Sequence, residues 1–321
     1  MVDMPNKFNK EKILLMVHVC EMYYKEGCTQ EEIGKRLKIS RSQISRILTQ
    51  AREANIVHVT IRNPFSLEET YAEKLKMKYA LSSVVVTASE ATDPQEGAVA
   101  TVTAAARLLE SLLNDTSVVG VMAGKTVRDV CSAVHFSHMP KTKIVPVMGG
   151  WGIEGSNWHA NSNAYLLGSQ LRCKYYVMNA PSIVSMAESR QALMREPEIY
   201  RVLNLAKAAD IVLMGIGQLD SNSTMYLSEI FSEDKLESIR SHGAVGNIMS
   251  NFIDQRGKVI DIPGLGFQIG LDMRSLRSIP NRVAVAFGQQ KAEAIHAALR
   301  GGWATSFVTD IATAKLLTDY T

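Results

Sequence analysis

No uninterrupted apolar run in this 321-residue chain is long enough to cross a bilayer; Ile13 to Val17 is typical of the runs it has. Lysines precede that run as they do in a secretory leader. No small-residue cleavage site follows, and Glu21 and Glu26 continue a helical pattern, so the sequence predicts no signal peptide. Cysteine is scarce. The four thiols, Cys20, Cys28, Cys131 and Cys173, lie far apart, with no C-x-x-C pair and no histidine at metal spacing. That spacing excludes a disulfide framework and a zinc site, and it points to free thiols in a reducing cytoplasm. An overall excess of charge is also missing, since the formal net charge is only +3.

The distribution of that charge carries more information. Residues 1–63 hold eleven Lys/Arg against seven Asp/Glu, a balance of +4, whereas the remaining chain holds 24 against 25. Between Ile33 and Arg52 there are six basic residues and no acidic one. A basic N-terminal module suits a polyanion, because neutralising phosphates is the sequence-independent part of DNA affinity. A solvated basic helix face gives the same composition, so the local pattern has to separate the two.

Thr29-Gln-Glu-Glu32 has the form of a capping box and opens a helix to about Leu37, with Ile33 and Leu37 facing inward. Gly34 stands where a second helix must approach. Ser40-Arg-Ser-Gln43 is another capping box, opening a helix to about Ala54. Its apolar stripe is Ile44, Ile47, Leu48 and Ala51, and its other face carries Arg41, Ser42, Ser45, Arg46 and Thr49. Two short capped helices with a polar, basic second member form a helix-turn-helix pattern. The candidate DNA contacts are Thr29, Gln30, Ser40, Arg41, Ser42, Gln43, Ser45, Arg46 and Thr49, with Arg and Gln suited to base edges and Ser and Thr to phosphates. An earlier helix with Ile13, Leu14, Val17, Cys20, Met22 and Tyr23 supplies hydrophobic cover. Ile56 to Ile61 alternates like a strand and reads as a wing.

Ser66-Leu-Glu-Glu69 opens a further helix with Leu67, Tyr71 and Leu75 at i+4 spacing, suited either to its own domain's core or to pairing with a second copy. Beyond residue 82, short apolar runs alternate with helical patterns. The runs are Val84–Thr87, Val118–Met122, Ile144–Met148, Tyr175–Met178, Ile211–Met214, Val283–Phe287 and Phe307–Thr309, with helices such as Glu96–Leu113 and Gln290–Leu299 between them. That rhythm predicts an α/β domain over residues 64–321, built on a mostly parallel, Rossmann-like sheet, after a head at 1–63. Ligands of such sheets sit beyond the carboxyl ends of strands. The candidates there are Gly124, Lys125 and Thr126, then Gly149 and Gly150, then Gly217 with Asp220, and finally Lys291. They suit a small anion held by helix amides and an ammonium group. Lys125 is not preceded by the G-x-x-x-x-G of a Walker A loop, which argues against nucleotide hydrolysis. Trp151, Trp158 and His159 in the next loop offer a second option, aromatic stacking on an unphosphorylated sugar or polyol. The sequence implies no cofactor and no metal.

The stretch T-Q-E-E-I-G-K-R-L-K-I-S-R-S-Q-I-S-R-I-L (29–48), followed by A-R-E-A-N-I-V (51–57), resembles the DNA-binding segment of SorC-type sugar-binding regulators, a family sometimes grouped with the deoxyribonucleoside regulators. The resemblance continues through G-V-M-A-G-K-T-V (120–127), A-A-D-I-V-L-M-G-I-G (208–217), G-A-V-G-N-I (243–248), Q-K-A-E-A-I-H-A-A-L-R-G-G (290–302) and V-T-D (308–310). Asn55 replaces a frequent Gly, Ala123 and Lys125 stand where Trp and Arg are usual, Asn247 replaces a common Asp and Phe287 a common Gly. The resemblance implies a transcriptional regulator that binds operator DNA, a phosphorylated sugar as effector, a homotetramer, and a large domain similar to sugar-phosphate isomerases and deaminases; the paired half-sites of a helix-turn-helix protein by themselves fit a homo-oligomer as small as a dimer. In those deaminases D-G-H follows G-I-G. Here Gln218-Leu219-Asp220-Ser221 follows, with no histidine, which argues against an enzyme.

Overall fold

The computed structural model describes residues 10–54, 56–57, 66–88, 94–135, 137–152 and 154–320. The chain divides into two units, Met1–Asn63 and Pro64–Thr321.

The first unit contains α1 (Lys10–Cys20), a π-helical turn (Glu21–Lys25), α2 (Gln30–Leu37) and α3 (Arg41–Glu53). Both capping boxes form as complete reciprocal pairs, Thr29 with Glu32 and Ser40 with Gln43. Each satisfies orphan amides at a helix start. Lys38 ends α2 in the left-handed conformation at φ 56°. A Cβ on Gly34 would lie 2.6 Å from the Ile39 carbonyl oxygen. Glycine is therefore needed for the turn that leads into α3, rather than for the body of the second helix.

The core of this unit is Met16, Val19, Cys20, Met22, Cys28, Ile33, Ile44, Leu48 and Ala51. On α3 the expected stripe is the packed one, with Ile47 partly buried at its edge. On α1 the packed face differs in part from expectation: Cys20 faces inward as expected, but Ile13, Leu14 and Val17 face outward and Met16 and Val19 take their place. Apolar residues wrap more than half of that helix, so periodicity alone does not select a face. Residues 58–61 of the expected wing lie outside the described residues. Ile56 and Val57 pack on the core, with both amides directed to the Ala51 carbonyl.

The second unit is built on a seven-stranded parallel sheet. Its strands are β1 (Ser83–Thr87), β2 (Val118–Val121), β3 (Lys143–Pro146), β4 (Lys174–Tyr175), β6 (Ile211–Gly215), β11 (Asn281–Val285) and β12 (Ser306–Asp310). They lie in the order β1-β12-β11-β6-β2-β3-β4. Every apolar run picked out in the sequence contributes a strand, although the run at 175–178 supplies only its first residue. In β2, β6, β11 and β12 at least three consecutive residues are buried. Successive side chains point to opposite faces, so helices must cover both sides.

The helices of this unit are α4 (Leu67–Lys78), α5 (Pro94–Leu112), α6 (Lys125–Ala133), α7 (Ala160–Gln170), α8 (Ala187–Arg195), α9 (Pro197–Lys207), α10 (Thr224–Leu227), α11 (Glu233–Ser241), α12 (Met273–Ser278), α13 (Ala292–Arg300) and α14 (Ile311–Asp319), of which α4, α5, α6, α7, α9 and α14 pack against strands of the large sheet. α4 packs Ala72 and Leu75 into its own domain's core beside β1 and α14, leaving Leu67 60% exposed. Two small antiparallel sheets complete the unit. β5 (Ile183–Val184) pairs with β10 (Phe267–Gln268), and β8 (Asn251–Ile253) lies between β7 (Gly246–Ile248) and β9 (Val259–Ile260).

Strand order also places a crevice. From β2 the chain moves outward to β3, whereas from its neighbour β6 it moves the opposite way to β11. Connections that diverge from adjacent parallel strands leave an opening beyond their carboxyl ends.

Candidate functional site

Two surfaces carry the residues singled out in the sequence. In the first unit, Arg41, Ser42, Gln43, Ser45, Arg46 and Thr49 are all exposed along α3. Lys35 is paired with Glu31 at 2.9 Å and Arg36 with Glu26 at 3.6 Å, while Arg52 donates to the Tyr24 hydroxyl at 3.1 Å. Lys38, Arg41 and Arg46 have no ion pair among the described residues. The cations free for a polyanion thus cluster at and after the turn. Some expected contacts are already engaged. The Thr29 hydroxyl and amide both bond to Glu32, and the Ser40 hydroxyl and amide both bond to Gln43. Thr49 donates to the Ser45 carbonyl. For Gln43 to read a base edge it must leave its cap, which costs about 0.5–2 kcal/mol. Arg46 carries no such cost.

The second surface is the crevice beyond β2 and β6, a cavity of about 100 Å³. Met122 to Val127 line one wall, Gly215 to Gln218 the opposite wall, and Trp151, Asn247 and Lys291 close it. Parallel strands bring these distant segments together, because all their carboxyl ends lie on one edge of the sheet.

Gly124 is the N-cap of α6, at φ 134°, a backbone conformation that favours glycine. Its amide is already bonded to the Trp158 carbonyl at 2.8 Å. The first helical bond of α6 is Arg128 N–H to Gly124 O, so the amides of Lys125, Thr126 and Val127 precede the ladder and face the cavity end. The Lys125 ammonium lies over the Trp158 ring, 4.6 Å from its centroid. Trp158 is in turn anchored by its indole N–H to the Ser228 hydroxyl at 2.9 Å.

Lys291 ends a 3-10 turn (Gln289–Lys291) that leads into α13. Burial pushes its ammonium below the usual lysine range, partly offset by the carboxylate of Asp220. It has no ion pair among the described residues. A partly buried cation in a cleft attracts an anion. The preceding loop is held by the Gly288 amide, which donates to Asp310 Oδ2 at 3.1 Å and to Thr313 Oγ1 at 2.9 Å.

Five of the eight predicted ligand residues, Gly124, Lys125, Thr126, Gly217 and Lys291, line this cavity. The other three do not. A Cβ on Gly149 would sit 2.4 Å from the Pro181 carbonyl oxygen and 2.5 Å from that of Ala180. The close backbone approach expected there is made by the chain itself, not by a ligand. Gly150 lines a neighbouring opening with Pro181, Ser182 and Phe231. Asp220 stands behind the wall, accepting from Gln218 Nε2 and the Asn222 amide, each at 2.8 Å.

Gly217 has a role beyond flexibility. It exchanges two 3.0 Å backbone bonds with Asn247, and a Cβ on it would lie 1.9 Å from Asn247 Oδ1. Asn247 is buried and donates to the Met249 carbonyl at 2.9 Å. Gln218, Asn222 and Ser223 also line the cavity and were not picked out from sequence. The only signal for Gln218 is its position directly after G-I-G. Asn222 and Ser223 sit in a loop without periodicity. Of the three residues of the aromatic alternative, Trp151 lines the same cavity, whereas Trp158 and His159 do not. The Trp151 ring is 3% exposed and its N–H donates to the Ser250 hydroxyl at 3.1 Å.

Comparison with known proteins fits these two surfaces. The family model "Putative sugar-binding domain" matches residues 63–318, and that of Sigma-70, region 4, matches residues 18–54. The chain is 26% identical over 311 residues to the sorbitol operon regulator of Klebsiella pneumoniae, covering 96% of this chain and 99% of that protein. It is 32% identical over 309 residues to the transcriptional regulator LsrR of Escherichia coli O139:H28, covering 94% and 93%. Among solved structures, the full-length sorbitol operon regulator SorC of Klebsiella pneumoniae superposes with a TM-score of 0.74 at 26% identity, covering 97% of this chain and all of that one. A DeoR family transcriptional regulator from Listeria monocytogenes gives 0.72 at 27% identity, covering 78% of this chain and 100% of that chain. No helix among the described residues is long and apolar enough to cross a membrane. With a helix-turn-helix head, a crevice at the switch point of a parallel sheet and relatives alike over nearly their whole length, this chain belongs to the SorC-type family of sugar-binding transcriptional regulators.

Proposed function

We propose that residues 1–63 bind operator DNA of a carbohydrate-use operon and that residues 64–321 bind a phosphorylated sugar and hold a homo-oligomer together. The protein works in the cytoplasm as a switch and not as an enzyme. The observation that carries the phosphate is Lys291: a partly buried ammonium, without an ion pair among the described residues, in the same crevice as the free amides at the start of α6. Desolvating such a charge is costly and the Asp220 carboxylate offsets it only in part, so an anionic ligand adds a partner. Lys125 needs only to leave the Trp158 face to add a second cation.

On the DNA, α3 enters the major groove with Arg46 and Arg41 toward the bases and Ser42, Ser45 and Thr49 toward phosphates. Thr29, Gln30, Ser40 and Gln43 contact the backbone from the two helix starts. Effector binding changes operator affinity only to the extent that the sugar binds one state of the protein better than the other. The reading as a non-enzyme is supported by the relatives, which are operon and transcriptional regulators.

A second reading is a free sugar or polyol held by the aromatic loop, of which Trp151 reaches the cavity wall. A thermal-shift screen of the purified protein against matched sugars and their phosphates separates the two. A ligand at a hundred times its dissociation constant stabilises by about 2.7 kcal/mol. Stabilisation by phosphates alone supports the Lys291 reading, and equal stabilisation by the free sugars removes phosphate from the mechanism.

A further inference from the structure

Gln218 is the first residue beyond G-I-G, follows β6 by three positions and is only 7% exposed. The residue lines the crevice. Nε2 donates to Asp220 Oδ1 at 2.8 Å, and the same carboxylate oxygen accepts the Asn222 amide, also at 2.8 Å. A carboxylate accepts and does not donate, so the Gln218 amide has one orientation: its NH2 faces Asp220 and its oxygen faces the other way. That oxygen, Oε1, is buried and has no hydrogen-bond partner among the described residues. A buried acceptor without a partner destabilises a protein. Orienting it with a charged residue behind it makes sense when a ligand supplies the donor.

We infer that Gln218 reads a hydroxyl of the effector: Oε1 accepts a hydrogen bond from one sugar or polyol hydroxyl, and Asp220 is the positioning residue that keeps that oxygen turned into the crevice. The inference rests on the crevice being the effector site, as proposed above, and holds whether or not the sugar is phosphorylated. It also explains how Asp220 matters without lining the cavity. The carboxylate fixes the amide and at the same time opposes the loss of charge at Lys291. Anion recognition and hydroxyl recognition are thereby tied to one acidic residue. A site that presents a fixed acceptor rejects an analogue lacking the donor far more strongly than an apolar wall can.

The test is calorimetric titration of the full-length protein. The probes are hexose, pentose and polyol phosphates, the corresponding free compounds, inorganic phosphate, and monodeoxyfluoro analogues of whichever compound binds. Fluorine replaces a hydroxyl without donating a hydrogen bond. For the wild type, one fluoro analogue is expected to bind roughly tenfold or more weakly than its parent, and Gln218→Met should erase that difference. Asp220→Asn, which lets the amide rotate, should shrink the same difference without affecting discrimination at the other carbons. Unchanged discrimination in Gln218→Met overturns the inference. So does an equal loss of affinity for the parent and every analogue, the mark of a merely structural role, and so does inorganic phosphate binding as tightly as every hydroxylated probe. Free sugars binding as tightly as their phosphates would sink the phosphate reading yet leave the Gln218 comparison intact. If no probe binds, both the crevice assignment and this inference fail.

Discussion

Replacing Gly217 with alanine adds a single methyl group where the structure has no room for it. The new Cβ would lie 1.9 Å from Asn247 Oδ1 and 2.8 Å from its Cγ. Asn247 is short, 4% exposed and tied to the Met249 carbonyl, so it has no flexible end to move aside. Overpacking of this kind costs about 1–3 kcal/mol. Displacing the asparagine also leaves the Met249 carbonyl unbonded, for roughly 1 kcal/mol more. A total of about 3 kcal/mol should lower the unfolding transition of a domain this size by roughly 6–12 °C. Asn247→Ala alone should cost about 1–3 kcal/mol through the lost hydrogen bond. In the double variant the clash has no partner, so the two costs must not add: the combined loss should fall well short of their sum. Thermal and urea unfolding of the wild type, both single variants and the double variant measure the cycle. Strict additivity within experimental error, or a Gly217→Ala protein as stable as the wild type, would refute the claim that this glycine exists to admit Asn247.

Arg46→Ala should weaken operator binding by roughly 1–3 kcal/mol if the guanidinium reads a base, and an unchanged gel-shift titration would remove it from the interface. Ser40→Ala removes the hydroxyl of a complete capping box and should destabilise the head by about 1 kcal/mol, read by thermal unfolding of the full chain, where an unshifted head transition would count against the cap. Lys291→Ala should abolish the effector-dependent change in operator affinity, and a full response in that variant would show that the anion site lies elsewhere. The pH dependence of Lys291 follows from its depressed affinity for protons. Because the folded protein binds that proton less tightly than the unfolded chain, this residue makes stability rise with pH as the folded group titrates below the ordinary value of 10.5. Over the same interval the cation is lost, so affinity for an anionic effector should fall as the pH rises; calorimetric titration across the alkaline range showing constant affinity would contradict it.

Much of the molecule was legible because its signals are local. The capping boxes at Thr29 and Ser40 depend on residues three apart, and both form with the expected partners. The stripe on α3 is a clean amphipathic pattern with one solution. The strands of the large sheet, apart from the exposed edge strand β4, are short apolar runs separated by helices, and burial on both faces is what writes such runs into a sequence. Glycine, lysine and one threonine after strands marked five cavity residues, because a parallel sheet sends every strand's carboxyl end to the same edge.

Tertiary structure decided the rest, for identifiable reasons. On α1 the apolar residues surround the axis, and only packing against α3 turns Met16 and Val19 inward in place of Ile13, Leu14 and Val17. Gly149 and Gly217 both follow strands and look alike in sequence. One is filled by the Ala180–Pro181 backbone and the other by a buried asparagine thirty positions away, since what approaches a glycine is set by distant chain. Whether Asp220 meets a ligand or stands behind one depends on a hydrogen bond to Gln218 that no spacing rule encodes. The sequence by itself determined the helix-turn-helix with its caps, the strands of the large sheet and the sheet edge that carries the candidate site. Which side chains converge there, and which buried atoms lack partners, followed only once the strand order brought β2 beside β6, because those contacts join segments nearly a hundred residues apart.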